Sequence, residues 1–221
     1  MSIAARELLV QARRLAETVL EATEIEFRDG RFRVPGTDLA IDLIGLVRAA
    51  RTRGLEAVLA ASADNEMHAP VFPNGCAVCE CEVDPETGAV ELTRYAAVDD
   101  VGRCVNPMIV HGQTHGGIAQ GVGQALSEAI VVDAPSGQPL TGSLMDYALP
   151  RADTLPSFAT EIVEVLSPTN PFGIKAGGEG GTTPALAVVV NALVDALGEF
   201  GVTDLQMPVT SERVWRAINS R

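Results

Sequence analysis

Apolar residues recur every three or four positions across residues 4–22. Leu8, Leu9, Ala12, Leu15, Ala16, Val19 and Leu20 form one stripe, while Arg6, Arg13, Glu17 and Glu21 fall outside it. That period predicts an amphipathic helix. The pattern then changes to alternation over 24–28. Asp29-Gly30 is a two-residue hairpin turn, 31–34 is the return strand, and Pro35-Gly36 stops it. A second helix is predicted to start at Thr37 or Asp42, to bury Leu43, Leu46, Val47 and Ala50, and to end near Gly54.

Residues 62–75 are polar and carry Pro70 and Pro73, which reads as a connection between a lead segment, 1–70, and a larger domain, 71–221. Beyond it, strands are predicted over 77–83 and 90–98, joined by Asp84-Pro85-Glu86-Thr87-Gly88. Asn106-Pro107 breaks the chain, and a long helix rich in small residues spans 110–130. A hairpin follows, 130–133 turning at Pro135-Ser136-Gly137 toward Leu140, and then a strand over 159–166. After a glycine-rich loop over 168–181, Thr182-Thr183-Pro184 caps a helix reaching about Leu197, and Ser211 caps a last one over 212–219. About five helices and seven or eight strands, in hairpins rather than strict strand–helix alternation, define an α+β fold of hairpin-rich mixed sheets with packed helices.

Composition narrows the function. With 47% hydrophobic residues in 221, the chain can bury a core. Sixteen Lys and Arg stand against 29 Asp and Glu, a net charge of −13 that argues against nucleic acid or an anionic membrane as partner. No run approaches the ~18 apolar residues of a membrane span. The early charges at Arg6 and Glu7 do not fit a signal peptide, and four cysteines then read as reduced thiols of a cytoplasmic protein.

Four stretches carry candidate chemistry. Cys76-x-x-Cys79-x-Cys81 invites a zinc reading, but Cys104 is a single later thiol where a second ligand pair is needed. Cys79 and Cys81 share one strand face, so buried thiols are the simpler account and no metal ligand is assigned. His111 and His115 are spaced i, i+4 but lack the glutamate of a metalloprotease helix, which leaves ordinary polar contacts. In the run from Gly116 to Gly123, mid-helix glycines cost about 1 kcal/mol each relative to alanine. Their repetition implies a closely approaching backbone or a large ligand, and close packing alone does not account for Gln113 and Gln120 on the same face. Gly173-Ile-Lys-Ala-Gly-Gly-Glu-Gly-Gly181 is the most informative stretch. Bare backbone leading into a helix N-terminus suits an anionic ligand. Glu179 stands there among glycines, either capping the helix dipole or serving a ligand.

These residues, taken in order, carry a resemblance. Phe72-Pro-Asn-Gly-Cys76, Glu82-Val-Asp-Pro-Glu-Thr-Gly88, Val98-Asp-Asp-Val-Gly-Arg103, Asn106-Pro-Met-Ile-Val110, Gly112-Gln113, Gly116-Gly117, Ala119-Gln-Gly121 and Gly178-Glu179-Gly180 closely resemble the C-terminal portion of the molybdenum-binding large subunit of the xanthine dehydrogenase, aldehyde oxidase and aerobic carbon monoxide dehydrogenase family. The resemblance implies that Glu179 is the general base of an oxidative hydroxylation with water as oxygen donor. Burial is then expected to raise its pKa toward neutrality. It further implies that Gln113 in the Gly112-Gln113 pair contacts a pterin, and that Lys175, Gly177, Gly178 and Gly180 belong to the cofactor-facing loop. The implied cofactor is molybdopterin, in its cytosine dinucleotide form, with molybdenum. Iron–sulfur clusters and FAD reside on partner subunits, and the substrate is an N-heterocycle or an aldehyde. The family's large subunit is much longer, and its N-terminal segments, with their own pterin and substrate contacts, have no counterpart here. The chain is therefore expected to need a partner supplying that N-terminal half across an apolar face left open in isolation. The alternatives are a non-catalytic remnant or interaction module that keeps the fold, and a small zinc protein built on the cysteines.

Overall fold

The computed structural model describes residues 2–55 and 59–220. The chain forms two compact units, Met1–His68 and Ala69–Arg221. In the first, helix α1 (Ser2–Leu20) is followed by strands β1 (Glu26–Arg28), β2 (Arg31–Arg33) and β3 (Ala40–Asp42) and by helix α2 (Leu43–Thr52). The three strands pair antiparallel in chain order, with Phe32 opposite both Phe27 and Ile41. Asp29 and Gly30 both take positive φ, as a two-residue hairpin turn requires. Phe32, Ala16, Leu46 and Ala50 are buried together. The Asp42 side chain accepts from the Gly45 amide at 2.6 Å and starts α2. Strand β3 is an addition to the sequence expectation, which read Thr37 to Asp42 only as the possible start of α2.

The second unit is built on β4 (Asn74–Val83), β5 (Val90–Asp100) and β6 (Phe158–Ile162), with helices α3 (Pro107–Leu126), α4 (Thr182–Ala196) and α5 (Ser211–Asn219). β4 and β5 form the expected hairpin, whose register shifts between Glu80 and Cys81. β6 joins β5 in parallel, pairing Tyr95 with Phe158 and Asp99 with Ile162. Leu92, Tyr95, Ile118, Val122, Val189, Leu193 and Val214 form the core between this sheet and the helices. Cys79 and Cys81 are half-buried against that core, whereas Cys76 is exposed. Burial, with Cys81 and Glu80 adding to it, pushes the Cys79 thiol up to about 11.

Several expectations need correction; Ser211 does not cap α5 but lies inside it, and Thr210 Oγ1 accepts from the Arg213 amide at 3.4 Å. Asn106-Pro107 does not merely break the chain; it opens α3, with the Asn106 side chain accepting from the Ile109 amide at 3.2 Å and Pro107 in the first turn. The helix consequently starts three residues earlier than predicted and ends at Leu126. The 130–140 hairpin forms but is too short to make two regular strands: the Val132–Pro139 bridge is flanked by the Leu140 amide on the Val131 carbonyl (2.8 Å) and the Asp133 amide on the Gln138 carbonyl (2.9 Å). The strand predicted to reach residue 166 stops at Ile162: the Val163 amide still bonds the Asp99 carbonyl of β5, but β5 ends at Asp100 and the Val165 amide goes to the Asp100 side chain instead of a strand backbone.

Four of the five glycines of α3 divide into two sets, the fifth, Gly123, being crowded by Glu128 and Pro150. A Cβ on Gly117 would lie 2.9 Å from the Thr182 amide nitrogen, and one on Gly121 would lie 2.6 Å from the Ala185 Cβ. Those two permit close packing of α4. Gly112 and Gly116 meet nothing within 4 Å and leave bare helix surface. Gly121→Val is therefore expected to destabilise the chain by about 2 kcal/mol or more through overpacking. Gly116→Ala is expected to stabilise it by up to about 1 kcal/mol through helix propensity. Urea unfolding of the two variants checks the contrast.

Candidate functional site

The carboxyl end of β5, the first residues of β4 and the loop entering α4 enclose a cleft of about 660 Å³. Gly177, Gly178, Glu179 and Gly180 line one side of it, and Asn74, Cys76, Asp99 and Asp100 line the other. Most of the loop side is main chain. Gly181 occupies the N-cap of α4 without any side-chain hydrogen bond to the first turn. Thr182 and Thr183, expected to cap the helix, lie inside it; the Thr183 amide donates to the Glu179 carbonyl at 3.1 Å. A helix N-terminus without a side-chain cap, beside glycine backbone, favours negative charge.

Two anchors hold the loop. Gln113 Nε2 donates to the Gly178 carbonyl at 2.8 Å, which ties α3 to the residue preceding Glu179. The second anchor is the Asp100 carboxylate. Its Oδ1 accepts from the amides of Gly102 (2.8 Å) and Val165 (3.1 Å), and its Oδ2 accepts from Lys175 Nζ. The Lys175 and Asp100 side chains are only 10% and 11% exposed. Loss of hydration favours the neutral acid of Asp100, but the hydrogen bond from Lys175, those from Gly102 and Val165, and the Lys175 charge outweigh it. The carboxyl is brought down to about 2.

The residues singled out in the sequence thus meet in part. Gly177, Gly178, Glu179 and Gly180 face the cleft, and Gln113 reaches it through Gly178. Gly112 is an exposed neighbour of Gln113 on α3. Lys175 departs from its expected place in a cofactor-facing surface, because its ammonium is turned onto Asp100. Glu179 is exposed, so the burial expected around it is not supplied by the described residues. His111 Nδ1 and His115 Nε2 both lie on the Thr160 hydroxyl, at 2.8 and 3.1 Å. Asp99 and Asp100 went unassigned as site residues in the sequence, although the Val98–Arg103 motif contains them. Their relevance arises from the ending of β5 beside the loop, which no local pattern encodes. Apolar side chains are left open around this unit, with Phe72 70% and Met108 77% exposed.

Comparison with known proteins bears directly on this arrangement. Residues 1–156 match the family described as molybdopterin cofactor-binding domain. The chain belongs to this family of molybdenum hydroxylase large subunits. It is 38% identical over 96% of its length to the 6-hydroxypseudooxynicotine dehydrogenase complex subunit gamma of Paenarthrobacter nicotinovorans. It is 34% identical over 99% of its length to the carbon monoxide dehydrogenase large chain of Hydrogenophaga pseudoflava. Among solved structures, quinoline 2-oxidoreductase from Pseudomonas putida 86 matches 99% of the chain with a TM-score of 0.83 at 36% identity. The α+β fold is that of the large subunits. The chain spans 28% of each of the two sequence relatives and 29% of the quinoline enzyme's chain.

The buried ion pair has a measurable signature. Because the folded-state pKa of Asp100 is lowered, its stabilising contribution is full above about pH 4 and is lost as the pH falls from there toward 2. Acid unfolding should therefore show a limb in this window that flattens in Asp100→Asn. Lys175→Met leaves a buried carboxylate uncompensated and should cost about 3–5 kcal/mol at neutral pH, read by denaturant titration.

Proposed function

We propose that this chain is the C-terminal, base-supplying part of a molybdenum hydroxylase large subunit. The observation that carries the reading is the Gln113–Gly178 hydrogen bond. It joins the Gly112-Gln113 turn of α3 to the Gly178-Glu179-Gly180 segment at the edge of one cleft. The residues present fit a pterin cofactor. Gly177, Gly178 and Gly180 offer main chain without side chains, and Gly112 offers bare helix surface beside Gln113. The α4 N-terminus favours an anionic group. The cofactor, once held there, supplies two-electron redox chemistry.

Glu179 acts as general base and takes a proton from the water that becomes the product oxygen. Overall, a carbon–hydrogen bond of the substrate is replaced by carbon–oxygen, and two electrons and two protons leave. Iron–sulfur and FAD partners receive the electrons. An N-heterocycle or an aldehyde fits this chemistry, and the relatives named for quinoline and nicotine favour the heterocycle. The remaining length of a large subunit provides the opposite wall of the cleft, excludes water from Glu179 and covers the apolar surface at Phe72 and Met108. The pterin is read as the cytosine dinucleotide form. A non-catalytic remnant is the second reading, and it is disfavoured because the Gln113–Gly178 contact and Glu179 are intact.

In the assembled enzyme, Glu179→Gln should keep molybdenum content and lower turnover by roughly 10²–10⁴-fold, the usual yield of a positioned base. Undiminished turnover would exclude the role. Metal analysis of the 221-residue chain alone should find little molybdenum, and a stoichiometric amount would contradict the two-walled site.

A further inference from the structure

We infer that Lys175 is a positioning residue for Glu179, and that with Asp100 it forms the buried anchor at which the tightly held part of the backbone leading to Glu179 ends; this inference rests on the reading of Glu179 as the base. Before Lys175, the loop is sewn to the end of β5. The Arg103 amide donates to the Gly173 carbonyl at 2.9 Å, the Lys175 amide donates to the Val101 carbonyl at 2.8 Å, and Gly102 bridges Ile174. The approach is close enough that a Cβ on Gly102 would stand 2.2 Å from the Gly173 carbonyl oxygen. Asn170 fastens the same turn internally, its Nδ2 donating to the Ile174 carbonyl at 2.8 Å while its Oδ1 accepts from the Ile174 amide at 3.0 Å.

Past Lys175 the stitching thins. Ala176, Gly177, Gly178 and Gly180 carry no side chain able to lock the backbone. The ties that remain are the Gln113 bond to Gly178 and the Thr183 amide on the Glu179 carbonyl. Lys175 therefore sits at the boundary between a fixed and a lightly held segment, four residues before the base. Its ammonium is nearly enclosed on a carboxylate that also binds the amides of Gly102 and Val165. One buried pair thereby joins the β5 turn, the chain leaving β6 and the base-bearing loop.

The pair also sets the charge of the cleft. The titratable or charged groups around Glu179 are Asp99 and Asp100 at the end of β5, Cys76 on β4 and Lys175 in its own loop. Lys175 cancels the charge of Asp100. Without it, an uncompensated carboxylate would share the cleft with the base. A lost positive charge makes a carboxylate harder to ionise, so the acid limb of the rate profile would move to higher pH.

The test uses Lys175→Gln, Lys175→Arg and the double variant Lys175→Gln/Asp100→Asn. Hydrogen exchange in the 221-residue chain reads the anchoring without turnover. In Lys175→Gln, the Lys175 and Thr183 amides should lose protection by about tenfold or more while the amides of the α3 and α4 interiors keep theirs, which also verifies folding. Lys175→Arg should stay near the parent. In the assembled, cofactor-loaded enzyme, Lys175→Gln should lower kcat by about tenfold to a hundredfold with KM little changed. Its acid limb should move to higher pH. The double variant should restore the limb but not the Thr183 protection, which separates charge from geometry. Parent-like exchange at Thr183 together with a parent-like pH limb in Lys175→Gln would overturn the inference. Full turnover in Glu179→Gln would instead remove the assignment of the base, while the exchange result would still decide the anchoring.

Discussion

The site depends on two backbones meeting where no side chain fits. A Cβ on Gly181 would stand 2.3 Å from the Thr114 carbonyl, and one on Gly117 would crowd the Thr182 amide. Only with glycine at both positions can the N-terminus of α4 settle against α3. That approach brings Gln113 within 2.8 Å of the Gly178 carbonyl. It also leaves the faces of Gly112 and Gly116 bare, because the helix spends its other glycines on packing. The conformational cost of glycine within a helix is thus offset by contact that no other residue allows.

Around this contact the cleft is acidic and sparsely covered. Asp99 accepts from Thr114 Oγ1 at 3.1 Å and Asp100 is neutralised by Lys175, so the β5 end is tied both to α3 and to the loop. Glu179 lacks comparable restraint of its side chain and is exposed. In the role of base proposed for it, Glu179 would need drier surroundings than these residues supply. The proposed reading assigns that enclosure to the remaining length of a large subunit, of which the chain spans 28% in its relatives.

The sequence expectations succeeded where one physical signal dominated. The 3.6-residue stripe of α1, the Asp29-Gly30 turn, the β4–β5 alternation and the Pro184 start of α4 were all legible, because each is decided by residues a few positions apart. They failed where the deciding partner is remote. Val165 has a strand-forming side chain, yet its amide is taken by the Asp100 carboxylate 65 positions away. Lys175 read as a ligand-facing cation because nothing nearby in the chain announces Asp100 as its partner.

By itself the sequence determined the α+β class, the helix and turn positions, and the candidate residues Gln113 and Glu179, since propensity, period and motif are local properties. The tertiary structure alone decided that β6 runs parallel to β5, that Lys175 is buried on Asp100, and that Gln113 is bonded to the residue before Glu179. Each of these is a contact between segments tens of residues apart. It exists only once the core has formed and the cost of closing the intervening loops has been met.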